Sequence, residues 1–294
     1  MTLKEFFQKS VHCGLKHDPR GKRFILKTKN NPYADSQILY GKPNREIRRI
    51  LVGIDIETAE ILMADKLRQK KNLDLVVAHH PEGKALLQLY KVMVVHNKIL
   101  EKMGIDKDIA KQIMQERIME VERKLLSANH LRTVDAARLL NIPFMCLHTV
   151  ADNLVYDFIF KLVKKNRPQK IKDILDLLYE IPEYKYDSRY GAGPRILLGK
   201  PKYKTGKVMV EMTGGTEGSK EIFDWLYDAG VRTLICMHLS EEHFKKIKDK
   251  NLNIIIAGHI SSDTLGLNLL LDEVDPQKRI EVVSCSGFKR ISHN

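Results

Sequence analysis

Apolar runs alternate along the chain with segments of helical period, and this alternation predicts an α/β fold. The strand-like runs are Ile50–Ile54, Leu73–Ala78, Ile142–Leu147, Val208–Met212, Thr233–Met237, Ile254–Ala257 and Ile280–Val283. Helical segments follow most of them, at Thr58–Lys70, Asn153–Lys165, Ser219–Ala229, Glu241–Lys250 and Thr264–Glu273. Asp152–Asn153 reads as a helix start and Gly230 as a stop. A longer polar helical stretch, Gln88 to Asn129, breaks at Gly104–Ile105–Asp106; its second half is amphipathic, through Ile113, Ile118, Val121 and Leu125. It carries no evident chemistry, and packing over the domain or between subunits is its expected role. The turn-rich stretch from Pro182 to Lys207 marks the boundary between two α/β halves, 1–181 and 182–294, packed as one compact unit. No tight internal repeat is visible.

Composition narrows the class. A chain of 294 residues with 43% apolar and 30% charged residues can bury a real core. No stretch approaches the ~18 uncharged apolar residues of a membrane span. Glu5 and Gln8 interrupt the apolar part of the N-terminus, against a signal peptide. Cys13, Cys146, Cys236 and Cys285 lie far apart, which excludes a CxxC zinc finger and fits a reducing, cytoplasmic setting without membrane contact.

The charge is less simple. Fifty Lys and Arg against 37 Asp and Glu leave a formal net charge of +13. Such an excess attracts nucleic acid, anionic membrane or phosphorylated metabolites. The basic residues are nevertheless dispersed, in short runs such as Lys70–Lys71, Lys164–Lys165 and Lys245–Lys246, with no interleaved aromatics. A solvated Lys-rich surface is favoured over a dedicated nucleic-acid stripe.

Three motifs begin where a strand-like run ends. His79 and His80 follow Leu73–Ala78; His148 ends Ile142–Leu147 with Asp152 four residues on; His259 follows Ile254–Ala257 with Asp263 four residues on. In parallel α/β sheets the strand carboxyl ends share one edge, where ligands bind. Four imidazoles and two carboxylates at one edge match the ligands of zinc, manganese, iron, nickel or cobalt, and they exceed what one ion needs. Two divalent ions per chain are therefore expected. His12, His17, His96, His130, His243 and His293 are given no role, and His238, also at a strand end, is held in reserve.

The order HHP, HTxxD, GHxxxD/E resembles the NIF-three-like family, the GTP cyclohydrolase I type 2 homologues. SQILYG and RRILVGIDIETA before LDLVVAHHP are similar to its opening strand–helix–strand unit, and KVMVEMTGGTEGSKEIFDWLYDAGV is similar to its second half. The likeness covers Gln37 to Phe288 apart from the helical Gln88–Asn129 segment. It implies two related α/β halves with mixed and parallel sheets around a dinuclear metal centre at the strand carboxyl ends between them. The implied ligands are His79, His80, Asp152, His259 and Asp263, with His148 a ligand or a partner of one, in a homo-oligomer, typically a hexamer. The family commonly has Glu where this chain has Asp263, which is one methylene shorter and can still ligate but has less reach to span two ions. The helical segment is also longer than compact members need.

A dinuclear His/carboxylate centre activates water near neutral pH, so the expected class is a metal-dependent hydrolase, cyclohydrolase-like or phosphoesterase-like, of unassigned substrate. The sequence names no catalytic side chain beyond the ligands. GxSxG and GxGxxG are absent, and Cys146 reads as a packing residue. The loop Thr213–Ser219 joins a strand to a helix, and Gly214, Gly215, Gly218 and Ser219 there are a candidate anion site for a phosphorylated or nucleotide ligand. A tight strand–helix connection is the more economical reading of that loop. The competing function is a non-catalytic, metal-stabilised ring scaffold that binds nucleic acid or protein. A metal-buffering role is weaker still.

Overall fold

In the computed structural model, which describes all residues from Met1 to Asn294, nine strands build two sheets. The strands are β1 (Gln37–Tyr40), β2 (Arg49–Gly53), β3 (Leu75–Ala78), β4 (Phe144–Cys146), β5 (Arg195–Leu198), β6 (Lys207–Glu211), β7 (Val231–Cys236), β8 (Asn253–Ile256) and β9 (Glu281–Cys285). The first sheet has the order β1-β4-β3-β2-β9 and the second β5-β8-β7-β6. In each, three successive strands run parallel, and the strand preceding them pairs antiparallel with the third, β1 on β4 and β5 on β8. The same topology thus occurs twice, although no repeat is visible in the sequence. Topology needs only apolar runs in the same order, and many side-chain combinations supply those.

All seven expected strands are present, within a few residues of their expected ends. β3 and β4 are buried at every position, as expected of parallel strands covered on both faces. Pattern alone passes over two edge strands: β1, half-buried at every position, and β5, which alternates exposed and half-buried positions. β5 lies inside the stretch expected to be turn-rich, which also holds a short helix, Pro182–Ser188.

The main helices are α1 (Leu3–Lys16), α2 (Val95–Lys102), α3 (Lys107–Leu126), α4 (Thr149–Asn166), α5 (Ile171–Tyr179) and α6 (His259–Val274). The break at Gly104–Asp106 separates α2 from α3, with Asp106 capping α3 through the N–H groups of Asp108 and Ile109. These two helices cover the second sheet: Ile99, Leu100, Met114 and Val121 share one core with Val210, Leu234, Ile235 and Ile254. In return, β9 leaves the second half and pairs with β2. A boundary at 181/182 is therefore crossed in both directions, because hydrophobic pattern marks an element without naming the surface that buries it.

α4 and α6 pack on each other and on α1, and both contribute to the cores of the two halves. Two glycines permit this approach. A Cβ on Gly266 of α6 would meet the Ala151 carbonyl oxygen at 2.7 Å, and one on Gly14 of α1 would meet Val150 Cα at 2.8 Å. No helix is long and apolar enough to cross a membrane.

Candidate metal centre

Strand register brings the three motifs together. Gly53, Ala78 and Cys146 lie level at the carboxyl edge of the first sheet, so Asp55, His79–His80 and His148 emerge side by side. Glu211, Cys236 and Ile256 are level in the second sheet, so the Gly-rich loop, His238 and His259 emerge together as well. The two edges face one cleft.

Both helices of the site start earlier than apolar periodicity indicates. α4 begins at Thr149, with His148 as its N-cap residue, so Asp152 sits in the first turn rather than at the cap. α6 begins at His259, which places His259 and Asp263 one turn apart on one helix. Each first turn mixes apolar residues that pack on the core, Val150 and Ala151 or Ile260, with polar ones, and the polar positions interrupt the hydrophobic period at the helix start. HTVAD and HISSD are thus the same device, His and Asp at i and i+4 at a helix start, once in each half.

Three groups of ligand atoms converge: His79, His80 and His148; His80, His259 and Asp263; and His79, Asp152 and Asp263, each within 4.8 Å. His79, Asp152 and Asp263 are almost completely buried, while His80 and His259 stand towards the mouth. Asp263 belongs to two groups. Its Oδ1 lies 3.4 Å from His79 Nε2, and its Oδ2 lies 3.3 Å from His80 Nε2 and 3.5 Å from His259 Nε2. The shorter Asp side chain therefore faces both groups with separate oxygens.

The imidazoles are oriented from behind. His79 Nδ1 donates to the Leu147 carbonyl at 3.2 Å, His80 Nδ1 to Asp55 at 2.6 Å and His148 Nδ1 to Asp35 at 2.8 Å. A carbonyl or carboxylate only accepts, so each of these Nδ1 atoms carries a hydrogen, and it is Nε2 that faces the site and offers a lone pair once the ring is neutral. Asp35, fully buried, also accepts from the Thr149 hydroxyl at 2.6 Å. Sequence reading missed both carboxylates. Asp55 follows a strand end, which is a signal; Asp35 lies in the loop before β1 and offers none.

His79 Nε2, Asp152 Oδ1 and Asp263 Oδ2 are buried without any hydrogen-bond partner. Orphaned buried polar atoms cost roughly 1–3 kcal/mol each, and three converging in one place fit a cation. Their electrostatics agree. Burial works against a charged His79, but the Asp263 charge and contacts with Asp152 and Asp263 outweigh it and push its pKa up to about 10. Burial likewise opposes His80, yet Asp263 and Asp55 raise it to about 9. For Asp263, burial is outweighed by His79 and His80, which hold the carboxyl far below its usual range. Burial dominates at His259 and lowers it to about 4. In other words, the acids seek positive charge here, and protons on imidazole supply it where no cation does.

The clusters open into a small cleft of about 50 Å³, walled on the far side by the Gly-rich loop. Glu217 of that loop holds the Ser240 N–H at 2.6 Å and lies 3.4 Å from His238 Nδ1, and the His238 ring stacks at an angle 4.6 Å from His259. The histidine held in reserve therefore lines the site without joining a ligand group. Of the candidate anion site, the Gly218 N–H is committed to Glu211 at 3.0 Å, and Ser219 accepts from the Glu221 N–H. Gly214 and Gly215 adopt positive φ where a Cβ would strike His96 and Val92. Glu211 at the end of β6 and Glu217 of the loop both line the cleft, and Gly214 and Gly215 allow the loop to pack closely on His96 and Val92. His96, given no role, supports the loop through the Thr216 carbonyl at 2.9 Å. Cys146 is buried, its thiol pushed up by burial and accepting the Glu82 N–H, in keeping with a packing role.

No protein-family model and no curated protein matches the chain. Among solved structures, it is similar to a NIF3 superfamily protein from Sphaerobacter thermophilus, at a TM-score of 0.81 and 26% identity over 98% of this chain and 99% of that one. It also shares its fold with reduced HcgD from Methanocaldococcus jannaschii, at a TM-score of 0.54 and 14% identity over 85% and 87% of the two chains. The end-to-end match to the first of these agrees with the kinship read from the histidine motifs, and the protein belongs to the NIF3 superfamily.

Proposed function

We propose that this protein binds two divalent metal ions per chain and uses them as a metal-dependent hydrolase, cyclohydrolase-like or phosphoesterase-like, on a small substrate. The observation that carries the reading is the convergence of unpartnered buried atoms on His79, Asp152 and Asp263. One ion would be held by His79, Asp152 and Asp263, the other by His80, His259 and Asp263, with His148 closing the set beside His79 and His80. Zinc, iron, manganese, nickel and cobalt all suit this donor set. Bound there, the ions would supply Lewis acidity and activation of water.

The chain's own residues do the rest. Asp35 and Asp55 fix the imidazoles that face the cations. Burial at the base of the site opposes an ionised Asp263, and nearby positive charge outweighs it, which couples site assembly to occupancy. Glu217 and His238 form the opposite wall, where a substrate polar group would meet them. The narrow cleft suits a reacting group entering from the mouth rather than a polymer threaded through.

Elemental mass spectrometry on protein purified without a metal-binding tag tests the reading, followed by a screen of phosphoesters, cyclic amidines and nucleotides. About two ions per chain with metal-dependent turnover supports it. Chains that take up no ion after exposure to any of the five metals would end it.

A further inference from the structure

A second cavity lies away from the metal cleft, at the amino end of β6, whereas the metal site lies at its carboxyl end. It is a groove of about 710 Å³ between the turn joining α4 to α5 and the loop joining β5 to β6. Its rim carries Lys164, Arg167, Lys170, Lys202 and Lys204 and no acidic residue, and its floor is apolar, with Phe160, Val163 and Val208. None of the five cations has a carboxylate within ion-pair distance, although many of the protein's other surface lysines and arginines do. Asp173, in the same turn, directs its carboxylate to the backbone N–H groups of Gln169 and Lys170.

The walls are stitched together. Thr205 N–H donates to the Gln169 carbonyl at 3.0 Å, the Thr205 hydroxyl to the Pro168 carbonyl at 2.7 Å, and Ile171 N–H to the Tyr203 carbonyl at 2.9 Å. Lys170 and Lys204 sit directly opposite each other in an antiparallel bridge. Like charges placed across from each other are unfavourable, and here the backbone holds them so. A bound polyanion would relieve that repulsion, and the apolar floor would take a flat or apolar body.

We propose that this groove is a second binding site, for a small polyphosphorylated molecule with an apolar body, of the nucleoside triphosphate class. Its volume lies within the roughly 300–1,000 Å³ typical of small-molecule sites. The five cations surround one concavity rather than lining an extended basic track, which favours a small ligand over a nucleic-acid strand.

Calorimetric titration of the full chain with ATP, inorganic triphosphate and a single-stranded oligonucleotide tests this. The expected result is one ATP per chain, weakened by salt, with triphosphate weaker because it lacks the apolar body. Charge reversal in Lys170→Glu/Lys204→Glu should weaken ATP about tenfold or more, while Asp263→Ala at the metal cleft should leave it unchanged. Lys202→Glu, on an exposed loop, serves if the double variant does not fold. Four results would overturn the proposal: no saturable ATP binding; ATP binding abolished by Asp263→Ala but kept by the groove variants; tighter binding of the oligonucleotide with several chains per strand; or a groove variant that changes oligomeric state while wild type binds no ATP.

Discussion

His79 Nε2 lies 3.3 Å from Asp152 Oδ1, and neither atom makes a hydrogen bond. The two are buried, close and complementary, yet their directions do not match each other. Both instead share a space with Asp263, which meets His79 with one oxygen and His80 and His259 with the other. Asp263→Ala should therefore lower bound metal from about two ions per chain towards none, whereas His259→Ala should remove about one. Elemental analysis against protein concentration decides; equal losses in both variants would break the two-group arrangement.

Metal affinity should rise with pH. Without a cation His79 holds its proton up to about 10 and His80 up to about 9, so an incoming ion must displace both near neutrality. His259, lowered to about 4, is already neutral there and contributes no proton. Titration in buffers of different ionisation enthalpy should show about two protons released per chain loaded. Affinity that does not change between mildly acidic and alkaline pH would contradict this.

Asp35 touches no proposed ion, but it accepts from His148 Nδ1 and Thr149 Oγ1 while fully buried. Asp35→Ala should reduce metal affinity roughly 10–100-fold with the number of ions at saturation unchanged. Competition with a chelator of known affinity reads the change. A lower ion count at saturation would instead make Asp35 part of the binding set.

Gly266 sets how closely α6 lies on α4, and hence the distance between Asp263 and Asp152. A valine there meets backbone at Ala151, which cannot yield as a flexible side chain would. Gly266→Val should cost about 1–3 kcal/mol by overpacking and weaken metal binding at the same time. Chemical denaturation and metal analysis on one preparation check both effects; loss of stability with unchanged affinity would uncouple helix packing from the site.

His17 joins three helices, with Nδ1 2.6 Å from Asp157 of α4 and Nε2 2.7 Å from Glu273 of α6. The contact with Asp157, together with Glu273, raises its pKa against the effect of burial. A raised folded-state value means the stabilisation is complete below the unfolded value of about 6.5 and fades as pH rises through the folded value. With all three side chains partly exposed, His17→Ala should cost about 1 kcal/mol near pH 6 and less in alkaline solution. Denaturation curves of both proteins across that range would show the gap narrowing; a widening gap would reverse the assignment.

The legible part of this fold is local. The runs Leu75–Ala78, Phe144–Cys146 and Asn253–Ile256 are apolar enough to declare buried strands, and the histidines behind them mark the strand ends. β5 escaped because half its residues face solvent at an edge. The first turns of α4 and α6 escaped because the candidate ligands and the Thr and Ser beside them interrupt the apolar period there.

The sequence by itself determined the strand-and-helix alternation, the six ligand candidates and the His–Asp spacing that puts each pair on one helix face. It could do so because these depend on neighbours within a few residues. Only the tertiary structure decided that Asp35 and Asp55 orient the histidines, that the glycine loop packs on His96 and Val92, and that five lysines and arginines from two separate segments form one groove. Those relationships depend on which surfaces bury one another. Burial is settled by the summed packing of the whole chain, α2 and α3 on the second sheet and β9 on the first, and no short stretch of residues carries that information.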